Sequence, residues 1–87
     1  MMRLDNNKQL DEFIDVLVNF ESKDELKKFL EAILTPKELL ELPNRLSIIK
    51  LLKKGISQHE IAETLGVGVA TVGRGSKELQ KGNFKNV

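Results

Sequence analysis

Between Ser57 and Val72 the chain carries the spacing of two short helices that meet at a glycine turn, and this constrains its fold more than any other feature. Ile61, Leu65 and Val72 are apolar anchors, Ala62 falls where crossing helices admit only a small side chain, and Gly66 follows four residues later. A glycine there can take the positive φ that ends a helix. Ser57 and Glu60 form an S-x-x-E capping box, in which the serine side chain satisfies a first-turn N–H that has no partner inside the helix. The pattern predicts a helix-turn-helix over about residues 57–81. An αα-hairpin that only packs is the alternative reading.

The rest of the chain also reads as helix. Leu10, Phe13, Ile14, Leu17 and Val18 recur at the helical period from about residue 7 to Phe20. Ser22 and Glu25 make a second capping box, which opens a helix with Leu26, Phe29, Leu30 and Ile33 on one face. Thr35-Pro36-Lys37-Glu38 then puts threonine at an N-cap, proline at the first helical position and glutamate at the third. That helix runs to Lys54 with Gly55 as its stop, and Pro43 inside it predicts a kink or a short break just before the proline. The second helix of the motif covers about Val69 to Lys81 and ends near Gly82. Asn83 to Val87 read as a loose tail in which Phe84 is a candidate to dock. With no strand alternation, repeat or linker, the fold class is all-α, a single domain over residues 1–87.

Charge divides the chain. Residues 1–43 hold 6 Lys/Arg against 10 Asp/Glu, a net of −4, while residues 44–87 hold 8 against 3, a net of +5. The basic half is the half with the helix-turn-helix: Lys50, Lys53 and Lys54 precede its first helix, and Arg74, Lys77, Lys81 and Lys85 lie on or after its second. This asymmetry suits a surface that meets phosphates, whereas any one of these lysines alone reads as a solvated face.

Several chemistries are ruled out. There is no cysteine, hence no disulfide, thiolate metal site or thiol nucleophile, and the single histidine, His59, cannot by itself build a metal centre or a triad. An enzyme is the least expected class, since no nucleophile–base pair or metal cluster is visible. No apolar run approaches the ~20 residues of a membrane span and Met1-Met2-Arg3-Leu4-Asp5 lacks the apolar core of a signal peptide, so the expectation is a cytoplasmic protein with no membrane partner. The helices over about residues 7–34 carry apolar stripes with no evident partner in so short a chain, which points to an intertwined or otherwise extensive homodimer. A dimer also presents paired recognition helices to two half-sites about one DNA turn apart.

Leu34-Thr35-Pro36, Arg45, Ser57-Gln58, Leu65-Gly66, Ala70-Thr71-Val72 and Arg74-Gly75-Ser76 with Leu79 together resemble the bacterial Trp repressor family. The Arg-Gly-Ser after the core of the recognition helix is the specific part, because a generic helix-turn-helix does not need it. The resemblance covers about residues 10–82, and it is weakest at the amino-terminal end. It implies a Trp repressor-like intertwined dimer that binds double-stranded operator DNA when L-tryptophan, as corepressor, sits beside the reading head; no other cofactor and no metal is implied.

In that family two arginines sandwich the indole, and they fall on Arg45 and Arg74 here. A planar guanidinium stacks on an aromatic face and also pairs with a carboxylate, so the assignment is chemically sensible. Thr35 falls near the ligand carboxylate, Leu34 where the partner subunit supplies contacts, and Thr71, Gly75 and Ser76 complete the wall. Taken singly, Thr35 is an ordinary helix cap, Arg45 and Arg74 are surface cations and Ser76 is a solvated helix residue. For DNA the carried-over positions are Gln58 and His59 on the first motif helix and Gly68, Val69, Ala70 and Gly73 on the second, joined by Lys77 and Lys81 from the charge pattern. Small side chains read few base edges, so specificity leans on backbone groups, DNA shape and water, the last a known trait of the family.

Departures from a well-studied branch of the family are His59 for an arginine, Ala62 for a phosphate-binding lysine and Gly73 for a threonine, so the operator sequence does not transfer. Glu78 stands where a serine lies near the ligand amino group; a carboxylate could pair with that ammonium or point into water. The loop before Ser57 is one residue shorter, and the chain stops before the family's usual last helix. Three readings follow: a tryptophan-dependent repressor of tryptophan biosynthesis or uptake genes, a related DNA-binding protein that works without tryptophan and uses Arg45 and Arg74 as phosphate clamps, and a helical protein-interaction module with no DNA role.

Overall fold

A computed structural model describes residues 5–87 as α1 (Asn6–Val18), α2 (Lys23–Ile33), α3 (Pro36–Lys53), α4 (Gln58–Leu65) and α5 (Val69–Gln80), with no strand among the described residues. The chain divides into two compact units, Met1–Pro36 and Lys37–Val87.

In the first unit Asp5 caps α1, its side chain accepting the Asn7 N–H at 2.9 Å, and Ser22 caps α2 by accepting the Glu25 N–H at 3.0 Å. Helix α1 ends at Val18 rather than Phe20, with Asn19 as its C-cap. Phe20 leaves the helix and its ring lies 5.2 Å from that of Phe29, which in turn lies 6.4 Å from Phe13. Tilted rings at such distances attract through their quadrupoles. This aromatic trio leaves much apolar surface wet: neither helix has a buried residue, and Leu10, Ile14, Val16, Val18 and Ile33 all stay exposed, Val18 by 71%.

The second unit holds the core. Ile48 and Ile49 of α3, Ile61 and Ala62 of α4 and Val72 of α5 are buried, with Leu51, Leu52, Ile56, Leu65, Val67, Leu79 and Phe84 packed around them. Ala62 therefore contributes packing and no charge at the helix crossing. Ser57 accepts the Glu60 N–H at 3.2 Å, and Gly66, left-handed at φ 67°, closes α4 while the Val67 N–H returns to the Ala62 carbonyl at 3.0 Å. The chain can then turn tightly enough to lay α4 against α5.

Two local expectations need correction. Of the kink or short break that Pro43 suggested, the break does not occur: helix α3 runs through the proline. Proline withdraws a single donor, and the helix beyond it is anchored by buried Ile48 and Ile49. Nor is the tail loose. Gly82, at φ 84°, reverses the chain after α5, the Gly82 and Asn83 N–H groups cap the carbonyls of Leu79 and Glu78 at 3.0 and 3.3 Å, and Phe84 docks on the core. Lys53 Nζ then donates to the backbone oxygens of Phe84 and Val87 at 2.5 and 2.6 Å.

Candidate functional site

Helices α3 and α5 approach closely at Gly75. A Cβ at this position would lie 3.1 Å from Ile48 Cγ2 and 3.3 Å from Ile49 Cδ1, so the missing side chain is what leaves room for these two α3 side chains against α5. Gly75→Ala sets a helix-propensity gain of about 0.5–1 kcal/mol against an overpacking cost of about 1–3 kcal/mol. Overpacking wins, and the expected result is a net loss of about 1 kcal/mol in urea denaturation.

Beside this contact lies a cavity of about 440 Å³ lined by Arg45, Leu46, Ile48, Ile49, Thr71, Arg74, Gly75, Glu78, Phe84 and Val87. Its size is that of small-molecule sites, which are mostly apolar with a few convergent polar groups. Thr71, Arg74 and Glu78 share one face of α5 because they recur at spacings of three and four residues, and Arg45 joins them from α3. Arg45 and Thr71 also border a second cavity of about 240 Å³ with Glu41, Asn44, Ile48, Val67 and Gly68. Both arginines are exposed, so their guanidinium groups are open to a ligand.

Glu78 is held within its own helix end. Its carboxylate accepts Asn83 Nδ2 at 2.5 Å and Lys81 Nζ at 3.2 Å, and these bonds, Asn83's above all, keep its pKa below the ordinary glutamate value. Hydrogen bonds to the charged form favour that form. Its carboxylate thus bonds the tail and Lys81 at the protein surface.

Five of the expected ligand positions, Arg45, Thr71, Arg74, Gly75 and Glu78, therefore line one cavity. Ser76 is half-buried on α5 and is not among the lining residues. Leu34 and Thr35 belong to the first unit, where Leu34 is the half-buried C-cap of α2 and Thr35 the exposed residue before α3. Sequence reasoning did not find the apolar wall of Leu46, Ile48, Ile49, Phe84 and Val87. A lone aromatic just after Gly82 was the one signal for Phe84; nothing local marks the others.

The expected DNA positions form an exposed edge of the helix-turn-helix. Gln58 and His59 open α4, and Gln58 Oε1 lies 3.5 Å from where a Cβ on Gly73 would stand, so α4 begins against the middle of α5. Gly68 is the N-cap of α5 and provides no side-chain cap, which leaves first-turn N–H groups available to an external acceptor. Val69, Ala70, Lys77 and Lys81 are exposed and Gly73 is half-buried, while Val72, Gly75, Ser76 and Leu79 form the inner side of the helix. Lys77 is free of the ion pair that ties Lys81 to Glu78 at 3.2 Å.

The chain matches the family model described as Trp repressor protein over residues 8–86. A Trp operon repressor homolog from Xylella fastidiosa (strain M23) is 39% identical over 74 residues, which are 84% of this chain and 80% of that protein. One from Vibrio vulnificus (strain YJ016) is 36% identical over 70 residues, 79% of this chain and 69% of the relative. Another, from Vibrio atlanticus (strain LGP32), is 39% identical over 70 residues, 79% and 71% of the two chains.

Proposed function

The chain belongs to the Trp repressor family, whose members regulate transcription and are not enzymes, and from that premise we propose that it is a sequence-specific DNA-binding repressor of tryptophan biosynthesis or uptake genes with L-tryptophan as corepressor. The observation that carries this reading is the shared cavity: Arg45 and Arg74, the two guanidinium groups that would sandwich an indole, border it together with Thr71, Gly75 and Glu78. Leu34, Thr35 and Ser76 enter through the family resemblance alone. Arg74 lies on the same helix as Ala70 and Lys77, so a ligand stacked on it would bias the orientation of the reading surface directly. In this reading Gln58, His59, Gly68, Val69, Ala70 and Gly73 face the groove and Lys77 and Lys81 the phosphates.

The protein acts as a cytoplasmic homodimer on double-stranded operator DNA. Support for the dimer comes from the exposed apolar residues of α1 and α2. Support for a soluble setting is that no described helix is long and apolar enough to cross a membrane. Sedimentation at micromolar concentration is expected to show a dimer with no folded monomer on dilution; a compact, stable monomer would remove the dimer and its half-site geometry. The deciding experiment titrates labelled DNA from upstream of the organism's own tryptophan genes, with and without tryptophan. Tighter binding with tryptophan is expected. Binding no better than to random duplex defeats the reading.

The exposure of both arginines also favours a second reading, in which Arg45 and Arg74 clamp phosphate and no tryptophan is needed.

A further inference from the structure

The tail that follows α5 is pinned to the second unit at three points, and each pin bears on the cavity. Gly82 turns the chain back, Asn83 bonds the carboxylate of the cavity residue Glu78 at 2.5 Å, and Lys53 of α3 grips the backbone oxygens of Phe84 and Val87. Through two of its three donors this exposed lysine ties the end of α3 to the tail. The outcome is that Phe84 sits half-buried against the core with its side chain on the cavity wall, beside Ile48 and Ile49. The residues with polar side chains that line the cavity belong to α3 and α5, while those from the tail, Phe84 and Val87, are apolar residues.

We propose that this tail is the specificity-determining wall of the effector cavity: Phe84 selects an amino acid with a large aromatic side chain over smaller apolar ones, and Lys53 is the positioning residue that holds Phe84 in place. The proposal rests on the effector reading given above and adds a residue choice to it. An aromatic ring on the wall favours an aromatic guest through offset or edge-to-face contact, and this preference adds to the one that guanidinium groups stacked on the indole already give. The Asn83–Glu78 hydrogen bond ties the tail to α5, the helix that carries Arg74.

The test is calorimetry of the full-length protein with L-tryptophan and with L-leucine, the readout being the ratio of the two affinities, which a general loss of stability does not shift in one direction. Wild type is expected to prefer tryptophan. Phe84→Leu, which keeps apolar packing and the fold, should lower the ratio about tenfold, the equivalent of the 1.4 kcal/mol that separates decades of affinity and within the range of a ring–ring contact. Lys53→Met, with Phe84 intact, should lower it in the same direction. Helical circular dichroism verifies folding, and if Phe84→Ala unfolds, Phe84→Leu and Lys53→Met carry the test. A wild-type preference that survives all folded variants overturns the role of the tail and leaves the effector reading standing. A wild-type protein that binds neither amino acid overturns both.

Discussion

Raising monovalent salt from about 50 to about 200 mM is expected to weaken operator binding by roughly a thousandfold, if a dimer neutralises about six phosphates at a log–log slope of about 0.9 each. The charge for this lies in residues 44–87, with 8 Lys/Arg against 3 Asp/Glu, and is doubled in a dimer. Not every lysine counts equally. Lys53 is oriented toward the tail by two backbone oxygens and Lys81 already has a carboxylate at 3.2 Å, whereas Lys77, on the outer side of α5, has neither tie. Lys77→Ala should therefore remove one contact per subunit, flattening the slope by about 1.8 and weakening all sequences alike. Lys81→Ala should do less, because a phosphate must first compete with Glu78. Ala70→Phe, by contrast, should abolish the preference for operator and spare the salt-dependent non-specific binding, since it blocks approach to the groove and leaves the phosphate contacts alone. Fluorescence anisotropy across a salt series reads all of these. A slope near zero would show that the basic half meets something other than nucleic acid.

What the sequence made legible is what neighbours in the chain decide. Ser57 with Glu60, Ser22 with Glu25 and the turn at Gly66 are bonds between residues three to five apart, and each is present in the structure. Periodicity carried α1 two residues too far because Phe20 fits the helical repeat, yet its ring gains more from Phe29, a contact that no pattern within a helix can register. Pro43 shows the opposite case: of the kink or short break expected there the break does not occur, and the buried Ile48 and Ile49 that anchor the helix beyond it were not visible. Lys53 and Phe84 are 31 residues apart, so the ordering of the tail could not be seen either. The candidate site divides along the same line. Arg45, Thr71, Arg74, Gly75 and Glu78 were found through family resemblance, and the apolar wall, which depends on how α3, α5 and the tail meet, was not.

Arg45→Ala and Arg74→Ala are each expected to weaken tryptophan binding by about one to two kcal/mol through the lost cation–π contact, roughly a fivefold to thirtyfold effect, and by more where carboxylate pairing is lost as well. Both arginines are exposed in the ligand-free protein, so the larger figure requires that the bound indole itself exclude water from the stack. The measurement has almost no background, because the chain has no Trp and no Tyr and any emission excited in the indole band comes from the ligand. Transfer of that ligand into a stacked site changes its emission and anisotropy. Linkage supplies a second, independent constraint: the factor by which tryptophan tightens operator binding must equal the factor by which operator tightens tryptophan binding. If the arginines instead clamp phosphate, the same substitutions weaken DNA binding whether or not tryptophan is present, and the emission of millimolar tryptophan is indifferent to the protein. That indifference, with full operator binding in tryptophan-free buffer, would overturn the corepressor assignment while leaving the helix-turn-helix as the DNA-reading element.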